Sequence, residues 1–224
     1  VRFTGRGSIL PSSNGLVLPF EAVNLNAVDV TVFKIFEKNI LQFLQVNNVD
    51  GNQELYRVGR RMIRKKISLA TAGVVDFGKW NRYTLNLADI IQPDPGAIYQ
   101  IKLTFKKSYS TYACSGGTED IEDMLPEVEE EEIAYDGYYE DDYYYFEGYD
   151  WRERDNPCHI SYYTADRFVR KNILASDLGL IAKRGDDGST SVFATDIRNS
   201  EPLTGVEIEL LDFQQRSLGK NTTS

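Results

Sequence analysis

The chain has 224 residues, of which 42% are hydrophobic, and a formal net charge of −9. That length and composition suit one large or two modest domains with a real core. No apolar run reaches the roughly 18–20 residues that cross a bilayer, and the opening VRFTGRGSIL has no apolar stretch of the signal-peptide kind.

The charge is unevenly placed. Residues 119–155 hold 17 acidic and 2 basic side chains, and the rest of the chain has a net charge of +6. The acidity therefore belongs to one segment, and whole-chain charge says little about partners. No concentrated basic stripe is visible along the sequence, so nucleic acid is not expected as a partner.

In chain order, PSSNG (11–15) is a turn that separates an opening strand from LVLPFEAVNL. VDVTVFKIF starts as an alternating strand through Val28, Val30 and Val32. It then changes phase at Phe33 and Ile35, which predicts a bulge or a strand buried on both faces. EKNILQFLQVN (37–47) places Ile40, Phe43 and Leu44 at helical spacing and predicts one short helix. VDGNQ (49–53) is the next turn. RYTLNL alternates through Tyr83, Leu85 and Leu87, and PDPG (93–96) precedes a strand beginning at Ile98. That strand should turn Tyr99, Ile101, Leu103 and Phe105 inward, with Gln100, Lys102, Thr104 and Lys106 towards water.

Residues 109 to about 165 break the period. Seven of the 14 tyrosines fall between 135 and 149, and a connection this long is either functional or disordered. Strands resume at LGLIAKRG (178–185) and STSVFATDI (189–197), joined by GDDGS, and at GVEIELLDF (205–213), where Val206, Ile208 and Leu210 alternate with Glu207 and Glu209. Many short strands with one short helix predict an all-β fold. The expected form is an antiparallel β-sandwich over residues 1–172, carrying an insert at 115–157, followed by part of a second sandwich over 173–224. About 50 residues are too few for a complete second sandwich, so that unit is expected to be cut off by the end of the chain.

The two cysteines, Cys114 and Cys158, flank the acidic segment. That placement favours a disulfide and an oxidising compartment; the alternative is two unpaired thiols in the cytosol. The only histidine, His159, follows Cys158, but neighbours on an extended chain point to opposite faces, so a catalytic Cys–His pair is not expected. The acidic residues lie on no predictable rigid element that would set up paired-carboxylate catalysis, and no EF-hand spacing is matched. No catalytic, cofactor or metal site is assigned. Tyr143, Tyr144, Tyr145, Phe146, Tyr149 and Trp151 form a candidate protein-contact surface, since such side chains are enriched at interfaces. The competing reading is a solvated insert whose rings pack on their own domain. Composition predicts that 120–133 stays mobile and that 143–151 lies against the sandwich. Asn221–Thr223 matches a glycosylation acceptor pattern.

The stretch NILASDLGLIAKRGDDGSTSVFATDIRNSEPLTGVEIELLDFQQRSLGKNTT resembles the opening of a macroglobulin domain of bacterial α2-macroglobulins. VRFTGRGSILPSSNGLVLPFEAVNLNAVDVTVFKIFEKNILQFL resembles the preceding domain of the same family, especially of the Bacteroidota type. The resemblance implies a string of macroglobulin β-sandwiches in an exported protein of the periplasm or cell envelope, a lipid-anchored parent being one form. It implies a protease trap that collapses when a bait region is cleaved, with neighbouring macroglobulin domains and target proteases as partners and no enzymatic activity. The family's thioester motif, C-x-E-Q, is absent: Cys114 is followed by Ser-Gly-Gly and Cys158 by His-Ile-Ser. Nor is a bait region recognisable. The alternative function is an adhesive or ligand-binding sandwich that uses the tyrosine-rich loop.

Overall fold

The computed structural model describes residues 1–5, 7–70, 73, 76–114, 148–164 and 166–224. Its first strands are β1 (Arg2–Phe3), β2 (Ile9–Leu10), β3 (Val17–Ala22), β4 (Ala27–Ile35) and β5 (Gly59–Ser68), followed by β6 (Asn81–Asn86), β7 (Ile98–Thr104) and β8 (Phe168–Ala175). They form a three-stranded sheet, β1-β3-β6, and a five-stranded sheet, β2-β8-β7-β4-β5. All pairings are antiparallel except β2 with β8. The fold is all-β, as expected.

The two sheets share one core. Leu18, Phe20, Tyr83 and Leu85 of the smaller sheet pack with Val28, Val30, Val32, Tyr99, Ile101, Leu103 and Ile173 of the larger. Phe20 and Tyr83 stack with ring centroids 5.4 Å apart. Tyr99 is fully buried, and its hydroxyl accepts the Asp94 N–H at 2.7 Å, so the polar tip is satisfied. Turn chemistry sets the strand order. Gly15 takes the left-handed conformation after the PSSNG turn (φ 78°), and Gly96 does so after PDP (φ 83°), where a Cβ would be strained.

Strand β4 resolves the phase change at Phe33 in both expected ways. Its register with β5 shifts between Val32 and Phe33, and the strand is buried on both faces: Val28, Val30 and Val32 face the main core, and Asp29, on the other face, lies against Tyr109. The same burial corrects the reading of β7. Gln100, Thr104 and Lys106 do not face water; they are 3%, 7% and 3% exposed. The segment after α1 (Ile40–Val46) lies over Gln100. Gln100 Nε2 donates to Asn52 Oδ1 at 3.0 Å and to Asn172 Oδ1 at 2.9 Å, and Asn172 Nδ2 donates to the Val49 and Gly51 carbonyls. A buried amide network replaces solvent.

Helix α1 and the short helix α2 (Leu55–Val58) close a second, smaller core of Ile35, Phe43, Val58 and Ile98. Phe43 is its central ring, at 0% exposure. Leu44, expected beside it, is 41% exposed instead, because a helix of seven residues offers the sheet a narrow face. Asn47 ends the helix, donating to the Phe43 carbonyl and accepting the Gln53 N–H.

Beyond Ala175 the chain forms two hairpins. β9 (Leu178–Arg184) pairs with β10 (Thr190–Asp196), and β11 (Glu207–Leu211) pairs with β12 (Ser217–Thr222). Each is a separate two-stranded sheet. Leu180, Ile181, Phe193, Leu210, Phe213 and Leu218 are all more than half exposed. Strand β8 runs three residues past the expected boundary at 172, since Ile173, Leu174 and Ala175 belong to the five-stranded sheet. A polar junction ties the first hairpin to the sandwich. Asp177 accepts the Ser12 and Ser13 hydroxyls at 2.7 and 2.8 Å, and Arg198 Nη1 donates to Ser13 Oγ at 3.1 Å.

Candidate functional site

The most distinctive local structure is the base of the acidic insert. The outgoing chain leaves β7 with Phe105 turned towards the main core and Lys106 buried. A 3-10 turn, Lys107–Tyr109, then places Tyr109 against the sheet. Its hydroxyl donates to Asp29 Oδ1 at 2.8 Å, and its carbonyl accepts the Asn26 N–H at 2.9 Å. A bridge between Leu25 and Ser110 and a hydrogen bond from Thr111 N–H to the Asn24 carbonyl continue this pairing.

The returning chain is held by its own turns. Asp150 caps a 3-10 turn, Trp151–Glu153, accepting the Arg152 N–H at 2.9 Å, while its N–H donates to the buried Ser161 Oγ at 2.8 Å. Asn156 Oδ1 accepts the Cys158 N–H. Cys114 and Cys158 are joined, with their Cα atoms 5.6 Å apart. Lys107 Nζ donates to the Cys158 carbonyl at 2.9 Å, and Tyr163 Oη donates to the Pro157 carbonyl at 2.6 Å. Phe105, Tyr162 and Tyr163 make a ring cluster beneath, with Arg167 4.0 Å over Tyr162 and paired with Asp155 at 3.0 Å. Burial raises the Tyr163 hydroxyl above the ordinary tyrosine value.

Cys158 is not available as a nucleophile. The Cys158 sulfur is bonded to Cys114, and His159 Nδ1 accepts the Ser161 N–H at 3.2 Å as a turn cap. Among the described residues no three His, Cys, Asp or Glu side chains gather as metal ligands would. Of the candidate contact surface, Tyr143, Tyr144, Tyr145 and Phe146 lie outside the described residues, as does 120–133. Tyr149 is half-buried. Trp151 is 60% exposed, with the Arg154 guanidinium 5.5 Å from its ring.

Sequence reading missed Asp29. It is fully buried on β4, with Arg64 Nη2 3.9 Å away and Tyr109 on its other oxygen. Burial raises its carboxyl above the usual range, against the Tyr109 hydrogen bond and the nearby Arg64, Lys106 and Lys66 charges. The only signal was an acidic residue in an apolar run, VDVTV.

Residues 2–89 match a family model described as the bacterial alpha-2 macroglobulin MG2 domain. No curated protein matches the chain. The chain is similar in fold to a crystal structure of native alpha-2-macroglobulin from Escherichia coli spanning domains NIE-MG1. The two share 18% identity at a TM-score of 0.53, with 98% of this chain and 80% of that one covered. It is also similar to a cryo-EM reconstruction of the native conformation of the E. coli protein, with 19% identity and a TM-score of 0.50. Here 99% of this chain but 10% of the other is covered. Among the described residues no helix is long and apolar enough to cross a membrane.

Proposed function

We propose that this chain, whose residues 2–89 match the family model of the bacterial alpha-2 macroglobulin MG2 domain, is a framework section of a protease-trapping inhibitor of the cell envelope. The observation that carries the reading is the combination of that family match with a fold likeness across 98% of the chain. The chain spans about a tenth of the native E. coli chain it resembles, so trapping belongs to a larger parent. In this reading the sandwich, ending with β8 at Ala175, is one macroglobulin-like unit. The hairpins β9–β10 and β11–β12 are the opening strands of a second, whose exposed apolar side chains are covered by neighbouring domains of the parent. The Cys114–Cys158 disulfide supports export, because such bonds persist in oxidising compartments.

The test is protease challenge of the parent protein. The expected result is a protease that still cleaves a small chromogenic substrate but loses activity on a large protein substrate, while the present chain alone gives no such shielding. A parent that leaves large-substrate activity intact overturns the proposal. A surface-contact role is favoured by one observation, the exposed Trp151. Trp151→Ala that abolished binding of cells or matrix proteins, with protease shielding unchanged, would select that reading.

A further inference from the structure

The hairpins after Ala175 are held to the sandwich by the polar junction of Asp177 with Ser12, Ser13 and Arg198. A separate hydrogen bond runs from Gln45 Nε2 on α1 to the Phe213 carbonyl in the β11–β12 turn, at 3.2 Å. Neither hydrophobic core includes a residue beyond Ala175, and the connection from β8 to β9 is only Ser176 and Asp177. Two units of one chain joined in this polar way reorient unless a larger apolar contact fixes them.

Both sides of the Gln45–Phe213 bond carry apolar surface. The inward side chain of α1 is Phe43, at 0% exposure. Leu41, Leu44 and Gln45 share the opposite face, at i, i+3 and i+4, and the two leucines are 47% and 41% exposed. Gln45 thus stands beside both leucines while it reaches to the turn. On the hairpin, Phe213 is 72% exposed, more than any other large apolar side chain among the described residues. The turn that carries it is braced. Asp212 Oδ1 accepts the Arg216 N–H at 2.9 Å, and Asp212 Oδ2 accepts Arg216 Nε at 2.7 Å. The Asp212 N–H donates to the Arg216 carbonyl, and the Gln215 N–H donates to the Asp212 carbonyl. A loose loop would let an apolar ring fold back onto its own hairpin; a turn closed by four bonds holds it out.

We propose that the outer face of α1 is the docking surface for the β11–β12 turn, with Phe213 as the anchor that seats against Leu41 and Leu44. The second unit closes onto the sandwich by rotation about Ser176–Asp177, and the Asp177 junction is the pivot. Three arguments select this occupant over a second copy or a foreign chain. The Phe213 carbonyl is already bonded to the helix. The leucines lie within one helical turn of that bond, about 5.4 Å of rise, a distance a phenyl side chain spans. A partner on the same chain has an effective concentration in the millimolar range, which a separate molecule has to outcompete. Aromatic side chains are also the usual anchors of such contacts. The proposal names the neighbour that covers one of the exposed apolar side chains described above, and it holds whether or not the parent traps proteases.

The experiment is NMR on the full oxidised chain. Cross-relaxation between the Phe213 ring and the methyls of Leu41 and Leu44 is expected, and its absence overturns the proposal. Residual dipolar couplings read the orientation of the units: β3–β8 and β9–β12 are expected to share one alignment. The double variant Leu41→Ser with Leu44→Ser and the single variant Phe213→Ser are each expected to lose that shared alignment. Phe213→Ser leaves α1 untouched, so it gives the same reading should the double variant disturb the helix. Shared alignment kept in Phe213→Ser means that the polar junction alone fixes the units, and overturns the proposal. In a mixture of chains labelled on leucine methyls with chains labelled on aromatic rings, cross-relaxation between the two labels assigns the α1 face to a second copy and also overturns it.

Discussion

Removing the disulfide by Cys114→Ser with Cys158→Ser tests how the insert is anchored. The two residues are 44 apart in sequence. In the chain-entropy model, opening a loop of that length frees the unfolded chain by roughly 4 kcal/mol. The native base keeps its other fastenings: the Lys107 and Tyr163 hydrogen bonds to carbonyls, the Asp150–Ser161 bond and the Arg167–Asp155 pair. The folded state should therefore survive, and nearly the whole effect should appear as lost stability. For a chain of 224 residues, at about 2–4 °C per kcal/mol, the midpoint should fall by roughly 8–16 °C. Calorimetry on the oxidised chain and the double variant, without reductant, reads this directly. A shift under about 2 °C would refute the reasoning. It would mean either that the unfolded chain is already held compact across the insert or that the base opens without unfolding the sandwich. Reduced unaltered chain should match the double variant.

Four further outcomes are expected. Phe43→Ala should cost about 3–5 kcal/mol in urea unfolding, as a buried ring lost from the second core, whereas Leu44→Ala, at a 41% exposed position, should stay within about 0.5 kcal/mol. Asn172→Ala leaves Gln100 and the Val49 and Gly51 carbonyls short of a partner, at about 1–3 kcal/mol, and should speed hydrogen exchange in residues 47–53. Asp177 and Asp196 titrate below the ordinary carboxylate value, Asp177 through the Ser12 hydroxyl first and Asp196, at about 2, through Arg198. Their contribution is present above the unfolded value near 4 and is lost as pH falls towards 2. Arg198→Ala should flatten that acid limb in a pH series of melting points. Asp29 acts with opposite sign: its raised value makes stability fall as pH climbs from the unfolded carboxylate value through the folded one. Asp29→Asn should remove that slope, which urea midpoints between pH 4 and 7 will show.

Much of the strand plan was legible because it depends on local signals. Alternation at Tyr83, Leu85 and Leu87 and turn chemistry at 11–15 and 93–96 marked elements that the structure contains. The helix over 40–46 and the break in β4 were readable for the same reason. The cysteine placement suggested the bond that closes the insert base. What failed was the assignment of faces. Lys106 and Gln100 read as solvent-facing, and both are buried, because alternation shows that two faces differ but not whether the second one is covered.

The sequence by itself determined the all-β class, the short helix over 40–46, the three strand segments after 178 and the segregation of acidic charge into one stretch. Each follows from periodicity, turn residues or counting within a window. Only the tertiary structure decided that Asp29 is enclosed among Arg64, Lys66 and Tyr109, and that cations from β5, β7 and β8 share one face. No stretch of chain looks like a basic stripe, since those residues lie up to 109 positions apart, from Arg61 to Arg170. Strand register sets them side by side, and register is a property of pairing between distant segments, which local pattern does not encode.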